Sequence, residues 1–196
     1  MNQFDQWRKD YESMTFEQQQ DYHDHLESLY PDQAHYDLES AVKIFNWLKP
    51  KSVIEGGTWK GNLAKTILHD YPEVQSWLGY ELCPAAIRKT VCNDERFGYV
   101  VLNRFDWWNR GPIVCDLFLA THFIEHLSFD HFKELAKALK CKHVYFEAPL
   151  TETGESWDGY EGTHNLPIGW MQVSELMQAN GYNRIDITHH CKLYER

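Results

Sequence analysis

Ser52-Val53-Ile54-Glu55-Gly56-Gly57-Thr58-Trp59-Lys60-Gly61-Asn62 is the stretch whose reading decides the fold. A short apolar run ends on the carboxylate of Glu55 and breaks into a turn carrying Gly56, Gly57 and Gly61. Val53 and Ile54 favour a buried parallel strand, and the glycines permit close approaches that a Cβ forbids. Beyond the turn, Leu63, Ala64, Ile67 and Leu68 recur at helical spacing. The stretch predicts strand, tight loop and helix, with the free N–H groups of the helix start pointing back at the loop. That arrangement suits a carboxylate or a phosphate. A plain strand-to-helix turn and a dinucleotide site share the same pattern, so the rest of the chain must decide.

Downstream, Trp77-Leu78-Gly79-Tyr80-Glu81 predicts a second strand ending on an acid, and Pro84 starts a helix through Ile87 and Val91. In adenosine-binding doubly wound folds an acid about twenty residues past the glycine loop accepts both ribose hydroxyls, because a carboxylate has lone pairs for two donors. Glu81 takes that place, with a solvated strand-end carboxylate as the alternative, and Leu82 would flank the adenine. Tyr99-Val100-Val101-Leu102 predicts a third strand and Cys115-Asp116-Leu117-Phe118-Leu119-Ala120 a fourth. Ser128 can cap a helix carrying Phe132, Leu135, Ala136 and Leu139, and His143 to Pro149 predicts a fifth strand. Leu150 to Leu166 has no periodic pattern and no Lys or Arg, the profile of a lid or binding loop as well as of a solvated acidic loop. Trp157, Tyr160 and His164 lie on it. A last helix carries Trp170, Val173, Leu176 and Met177 and closes at Gly181, before strands at Arg184–Thr188 and Lys192–Tyr194. Upstream, a helix-prone segment runs to about Tyr30, with Thr15 and Gln18 as a capping box. A second helix from Leu38 stops at Pro50.

Val53-Ile54-Glu55-Gly56-Gly57-Thr58-Trp59-Lys60-Gly61 resembles the first motif of the Rossmann-like S-adenosylmethionine-dependent methyltransferases. In that family an acid closes the first strand and a Gly-x-Gly-x-Gly loop follows. Gly57 and Gly61 match the outer glycines, and Trp59 stands where the middle glycine is usual. The family commonly places an Asp by the adenine amino group and its neighbour along the ring, and Asp106 and Trp107 match that pattern. The Trp107-Trp108 pair is also consistent with core packing. The most specific match is the fourth motif, an Asp-apolar-apolar strand from Asp116 followed by Thr121-His122-Phe123-Ile124-Glu125-His126-Leu127.

The resemblance spans Ser52 to the C-terminus. It implies an α/β three-layer Rossmann-like methyltransferase fold, with a seven-stranded, mostly parallel sheet, an antiparallel last strand and added N-terminal helices. Residues 1–50 are then a helical cap and residues 51–196 the core of a single compact domain. The implied activity is O- or N-methylation of a small molecule by S-adenosyl-L-methionine. The implied cofactor-binding set is Glu55, Gly56, Gly57, Thr58, Trp59, Gly61, Asn62, Glu81, Leu82, Asp106, Trp107, Thr121 and His122. His122 follows the fourth strand where donor and acceptor should meet, and imidazole titrates near neutral pH, so it is the candidate general base. His164 is the reserve, and His126 reads as structural. Family members that use a divalent cation place an acid just after the fourth strand, where this chain has Thr121, so no metal is expected. Two other classes stay open: an inert domain that binds the cofactor or S-adenosylhomocysteine without turnover, and an NAD-type oxidoreductase. The absence of a contiguous Gly-x-Gly-x-x-Gly pattern weighs against the latter.

The whole chain sets outer limits. With 196 residues, 43% of them hydrophobic, it can bury one sizeable core. A net charge of -10 argues against nucleic acid as a partner, since phosphate backbones demand a concentrated Lys/Arg surface. The first ten residues lack the apolar core of a signal peptide, and no apolar run reaches membrane-spanning length. A cytoplasmic protein acting on a small molecule, away from membranes, is therefore the expectation. Cys83, Cys92, Cys115, Cys141 and Cys191 are odd in number with no Cys-x-x-Cys pair, which predicts reduced packing residues.

Overall fold

The protein's structure is a computed structural model, and it describes residues 14–29, 37–102, 111–153 and 168–196. The expectations placed on Asp106, Trp107, Trp157, Tyr160 and His164 lie outside these residues.

The stretch from Ser52 forms the expected unit: β1 (Ser52–Gly56), a loop, then α3 (Asn62–Asp70), which buries Leu63, Ala64, Ile67 and Leu68. Upstream lie α1 (Phe16–Leu29) and α2 (Leu38–Leu48). The capping box opens α1, with Gln18 N donating to Thr15 Oγ1 at 3.3 Å and Thr15 N to Gln18 Oε1 at 2.8 Å. Asp37 caps α2 by accepting from Ser40 N at 3.1 Å, and Lys49 ends it in the left-handed region just before Pro50. Downstream follow β2 (Ser76–Glu81), α4 (Pro84–Arg88), β3 (Phe97–Val101), β4 (Leu117–Thr121), a 3-10 turn (Ile124–His126) and α5 (Phe129–Ala138). The chain ends with β5 (His143–Glu147), α6 (Trp170–Ala179), β6 (Asn183–Asp186) and β7 (Cys191–Glu195).

The seven strands run in the order β3-β2-β1-β4-β5-β7-β6. β3 through β5 pair in parallel, whereas β7 is antiparallel to both β5 and β6. From β1 the chain winds outward through β2 and β3 and then returns to the other side of β1 as β4. The carboxyl ends of β1 and β4 therefore flank the point where winding reverses, the place where open α/β sheets bind ligands.

Two apolar layers follow from alternation along the strands. Leu117, Leu119, Tyr145 and Leu193 face α2 and α3, joining Phe45, Leu63 and Ile67. Phe118, Ala120, Val144, Phe146 and Tyr194 face the other way, onto Phe132 and Leu135 of α5 and Trp170, Val173 and Met177 of α6. Burying each of these large side chains is worth roughly 1.5–3 kcal/mol, so both helical layers are held to the sheet mainly by apolar contact.

Several boundaries differ from expectation, three of them for a visible local reason. The helix from Pro84 stops at Arg88 instead of reaching Val91, because Val91 N and Thr90 Oγ1 both donate to the Lys60 carbonyl, at 2.9 and 3.0 Å. These bonds draw the chain onto the glycine loop. The third strand begins at Phe97, earlier than Tyr99, since Trp77 N donates to Arg96 O and extends the ladder. The fourth begins at Leu117, because the Asp116 carboxylate accepts from Lys51 N and Ser52 N, at 2.9 and 3.1 Å. The fifth strand ends at Glu147, and the last two strands are Asn183–Asp186 and Cys191–Glu195.

α1 lies against α4. Asp24 Oδ1 accepts from Ala85 N and Cys83 Sγ, each at 3.0 Å, and Gln20 Nε2 donates to Leu102 O at 3.1 Å. The stem of the segment beginning at Leu150 is pinned as well. Trp170 N donates to Thr151 O and Met171 N to Glu152 O, while Arg184 grips the Glu152 carboxylate at 2.8 and 3.1 Å.

Candidate active site at the carboxyl ends of the strands

The glycine loop hangs from β2. Gly57 N and Thr58 N both donate to Tyr80 O, at 2.9 and 3.1 Å, and Gly61 N donates to Thr58 O at 2.9 Å. Gly57 and Gly61 take φ 73° and 74°, where a side chain would be strained. Trp59 also sits in the left-handed region, at φ 50°, a conformation that costs a residue with a Cβ about 1–2 kcal/mol. Its N–H donates to Glu81 Oε2 at 2.6 Å, a charge-assisted bond that offsets that cost. The Trp59 indole Nε1 is buried and finds no hydrogen-bond partner among the described residues.

Beneath the loop, Glu55 Oε2 accepts from Thr58 Oγ1 at 2.5 Å and from Trp77 Nε1 at 2.9 Å. Only 2% of Glu55 is exposed, so it supports the loop from inside the protein. Burial pushes its carboxyl from the ordinary 4.5 up to about 7, against the pull of the Thr58 and Trp77 hydrogen bonds and with a smaller push from Glu81. Between these two values the folded chain holds a proton that the unfolded chain has lost, so stability falls as pH rises through that window. Thermal unfolding followed from about pH 5 to about pH 8 should show that decline, and Glu55→Gln, neutral throughout, should flatten it. An unchanged slope would show that Glu55 does not titrate there.

Glu81 closes β2 with 6% exposure and raised proton affinity, chiefly from burial. Its Oε1 accepts from Leu82 N at 2.7 Å and Cys83 N at 2.9 Å, and its Oε2 accepts from Trp59 N. A carboxylate offers about four acceptor directions, and these three bonds leave one, on Oε2. For the expected ribose clasp the carboxylate thus has one acceptor direction left. Leu82 is buried beside it, and Asn62, half-buried, opens α3.

Across the switch point, Thr121 ends β4 and His122 follows at φ 49°, with its N–H donating to Glu147 O at 2.8 Å. His122 stands between two carboxylates. Its Nδ1 lies 3.2 Å from Glu125 Oε1 and its Nε2 3.6 Å from Glu147 Oε1. Glu125 is fully buried, with its Oε1 turned to His122 Nδ1. Glu147 is held by Asp37 N at 2.8 Å and Tyr145 Oη at 3.3 Å. Burial lowers the proton affinity of His122, but Glu125 and Glu147 together outweigh it and raise the value above the ordinary 6.5. Burial raises Glu125, and the hydrogen bond and charge of His122 with the charge of His126 bring it below its ordinary value.

Neither Glu125 nor Glu147 was among the residues singled out from sequence. Glu125 lies inside the segment matched to the fourth motif, between His122 and His126, and Glu147 carries a signal of its own as the acid closing an apolar strand. His126 sits in the 3-10 turn, ahead of the helix that Ser128 caps by accepting from His131 N at 3.2 Å. Phe123 walls the loop, since a Cβ on Gly56 or Gly57 would meet its ring or Cβ at 3.2 Å. Among the described residues, no group of three or more His, Cys, Asp and Glu side chains is arranged to hold a metal ion, and no helix is long and apolar enough to cross a membrane.

No protein-family model matches the chain, and no curated protein matches it. Solved structures do. The methyltransferase domain of bacterial CtHen1-CN superimposes with TM-score 0.60 at 15% identity, over 81% of this chain and 97% of that one. Human N-acetylserotonin methyltransferase in complex with S-adenosylmethionine gives 0.59 at 11% identity, over 97% of this chain and 57% of that one. The 4+2 cyclase SpnF gives 0.59 at 10% identity, over 79% and 62%. The chain thus spans under two thirds of the latter two. The fold is the Rossmann-like methyltransferase fold, with its mostly parallel seven-stranded sheet and antiparallel last strand.

Proposed function

We propose that the chain transfers a methyl group from S-adenosylmethionine to the oxygen or nitrogen of a small molecule, without a metal ion, and that His122 is its general base. The observation that carries this reading is the placement of His122 at the carboxyl end of β4, between Glu125 and Glu147 and beside the glycine loop's wall residue Phe123. The residues of the loop fit the cofactor. Gly57 and Gly61 supply the left-handed turns that fold the loop over the strand ends, and Glu81 keeps one acceptor direction for a ribose hydroxyl.

When bound, S-adenosylmethionine supplies an electrophilic methyl group on a sulfonium. The chain's own task is to hold the acceptor in line, exclude water and take the acceptor's proton. With Nδ1–H of His122 directed at Glu125, Nε2 is the nitrogen that takes up that proton. Glu147, 3.6 Å from Nε2, then faces the positive charge that arrives. Because both carboxylates raise the proton affinity of His122, the base is freed only as pH climbs past a midpoint above 6.5. The pH profile of kcat/KM should therefore show a rising limb there.

The test is incubation of the purified chain with S-adenosylmethionine and a pool of small-molecule acceptors, reading S-adenosylhomocysteine formation with and without a chelator. Turnover that survives chelation supports the proposal. Turnover lost to the chelator and restored by magnesium overturns metal independence, and binding with no turnover against any acceptor identifies an inert module. Glu81→Ala should weaken S-adenosylhomocysteine binding by roughly 1.5–3 kcal/mol in calorimetry, the scale of hydrogen bonds to a charged group. Unchanged affinity would remove Glu81 from the ribose.

A further inference from the structure

Cys115 and Cys141 lie at the opposite end of the sheet from His122. Ile113 bridges to Leu139 in the parallel sense and Leu117 pairs with His143, so the register between these pairs sets Cys115 directly beside Cys141. The two Sγ atoms are 3.2 Å apart, and both thiols are free and buried, with Cys115 9% exposed and Cys141 1%. The chain beside them reaches solvent, since Gly111, Pro112 and Val114 are exposed. A pair of thiols in sulfur contact on neighbouring strands differs from ordinary cysteine packing, in which each thiol sits among hydrocarbon.

We propose that Cys115 and Cys141 are an oxidation site, at which a peroxide or a small disulfide converts the two thiols into a reversible cross-strand disulfide. Neighbouring strands run about 4.7–4.9 Å apart, within the range of Cα separations that a disulfide spans, so the bond can close with little movement, and a thiol reductant can reopen it by exchange. Either thiol can donate in the sulfur contact and either can attack first; Cys141 is the one whose proton affinity that contact holds down against burial.

With hydrogen peroxide, the Cys141 sulfur attacks one oxygen and the O–O bond breaks, giving a sulfenic acid and hydroxide, which takes the thiol proton to become water. The Cys115 sulfur then attacks the sulfenic sulfur. The S–S bond forms as the S–O bond breaks, and the departing hydroxide leaves as a second water with the Cys115 proton. Two thiols are oxidised by two electrons and one peroxide is reduced to two waters. With a small disulfide as oxidant, two exchange steps give the same protein disulfide and two small thiols. The bond ties together the starts of the two strands whose far ends bring His122 to Glu147.

The experiment treats the native full chain with hydrogen peroxide, or separately with oxidised glutathione, then alkylates the remaining thiols and maps the peptides by mass spectrometry. The expected result is loss of about two hydrogens from the intact mass, three of the five thiols still alkylated, and one cross-linked peptide pair holding Cys115 and Cys141, reversed by dithiothreitol. Cys115→Ser and Cys141→Ser should each abolish that species. The wild-type peptide map decides alone if either variant fails to fold. Five alkylatable thiols after oxidation, a stable glutathione adduct or sulfinic acid on either residue, or a disulfide between any other pair would overturn the proposal.

Discussion

His122→Asn is expected to lower kcat by about 10²–10⁴-fold while leaving S-adenosylhomocysteine affinity nearly unchanged, the range that loss of a general base produces. Asparagine is the informative replacement because His122 takes φ 49°, a backbone conformation that Asn tolerates and that Ala would adopt only under strain. Loss of the imidazole also leaves Glu125 fully buried beside a neutral group, where it should take up a proton instead of remaining charged. Thermal unfolding of the variant therefore belongs beside the rate, and Glu125→Gln separates the two effects, since it removes the charge while keeping the base. A variant that retains the wild-type rate would exclude His122 as the base. One that loses cofactor affinity and turnover together would make His122 part of the cofactor wall. The rising limb of the pH profile should disappear in His122→Asn and move toward lower pH in Glu125→Gln, since Glu125 raises the proton affinity of His122.

What could be read from sequence was local or carried by resemblance. The strand, turn and helix from Ser52 to Asp70 were legible because apolar run, glycine turn and helical spacing all lie within a few residues of one another. Glu81 was legible as a strand-end acid, but the count of its partners was not. Three backbone N–H groups converge on it from a loop twenty-two residues upstream and from the two residues after it, and only the folded turn brings them there. The pairing of His122 with Glu125 needs the 3-10 turn that folds position i+3 back onto position i, and its pairing with Glu147 needs β4 and β5 in register. The sulfur contact between Cys115 and Cys141 depends on the same register, carried toward the other end of the strands, so five scattered cysteines gave no sign of it. Trp59 was visible as a departure from the glycine pattern. Its left-handed backbone, braced by the Glu81 carboxylate, is a tertiary effect that intrinsic preference opposes.

Gly79→Ala is expected to destabilise the chain by about 3 kcal/mol, at the upper end of overpacking costs, and to weaken S-adenosylhomocysteine binding along with it. Gly79 pairs with Glu55 in the β1–β2 ladder, and its missing side chain leaves the gap through which Thr58 reaches down to Glu55. A Cβ built there would stand 2.5 Å from Thr58 Cγ2 and 2.7 Å from both Thr58 Cβ and Oγ1. Those atoms are no flexible tip that can swing aside, since Cβ is fixed by a backbone that also hangs from Tyr80 O. The loop itself must lift, breaking the Thr58 to Glu55 hydrogen bond and shifting Gly57 and Trp59, which places the damage in the proposed cofactor cradle as well as in the core. A chain of this size loses about 2–4 °C of melting temperature per kcal/mol, so a drop of roughly 6–12 °C is the expected readout. Thr58→Ala added to Gly79→Ala removes Cγ2 and Oγ1 but leaves Cβ in conflict, so it should recover only part of the loss. A Gly79→Ala chain that melts like the wild type would show that the loop does not pack against β2 as described.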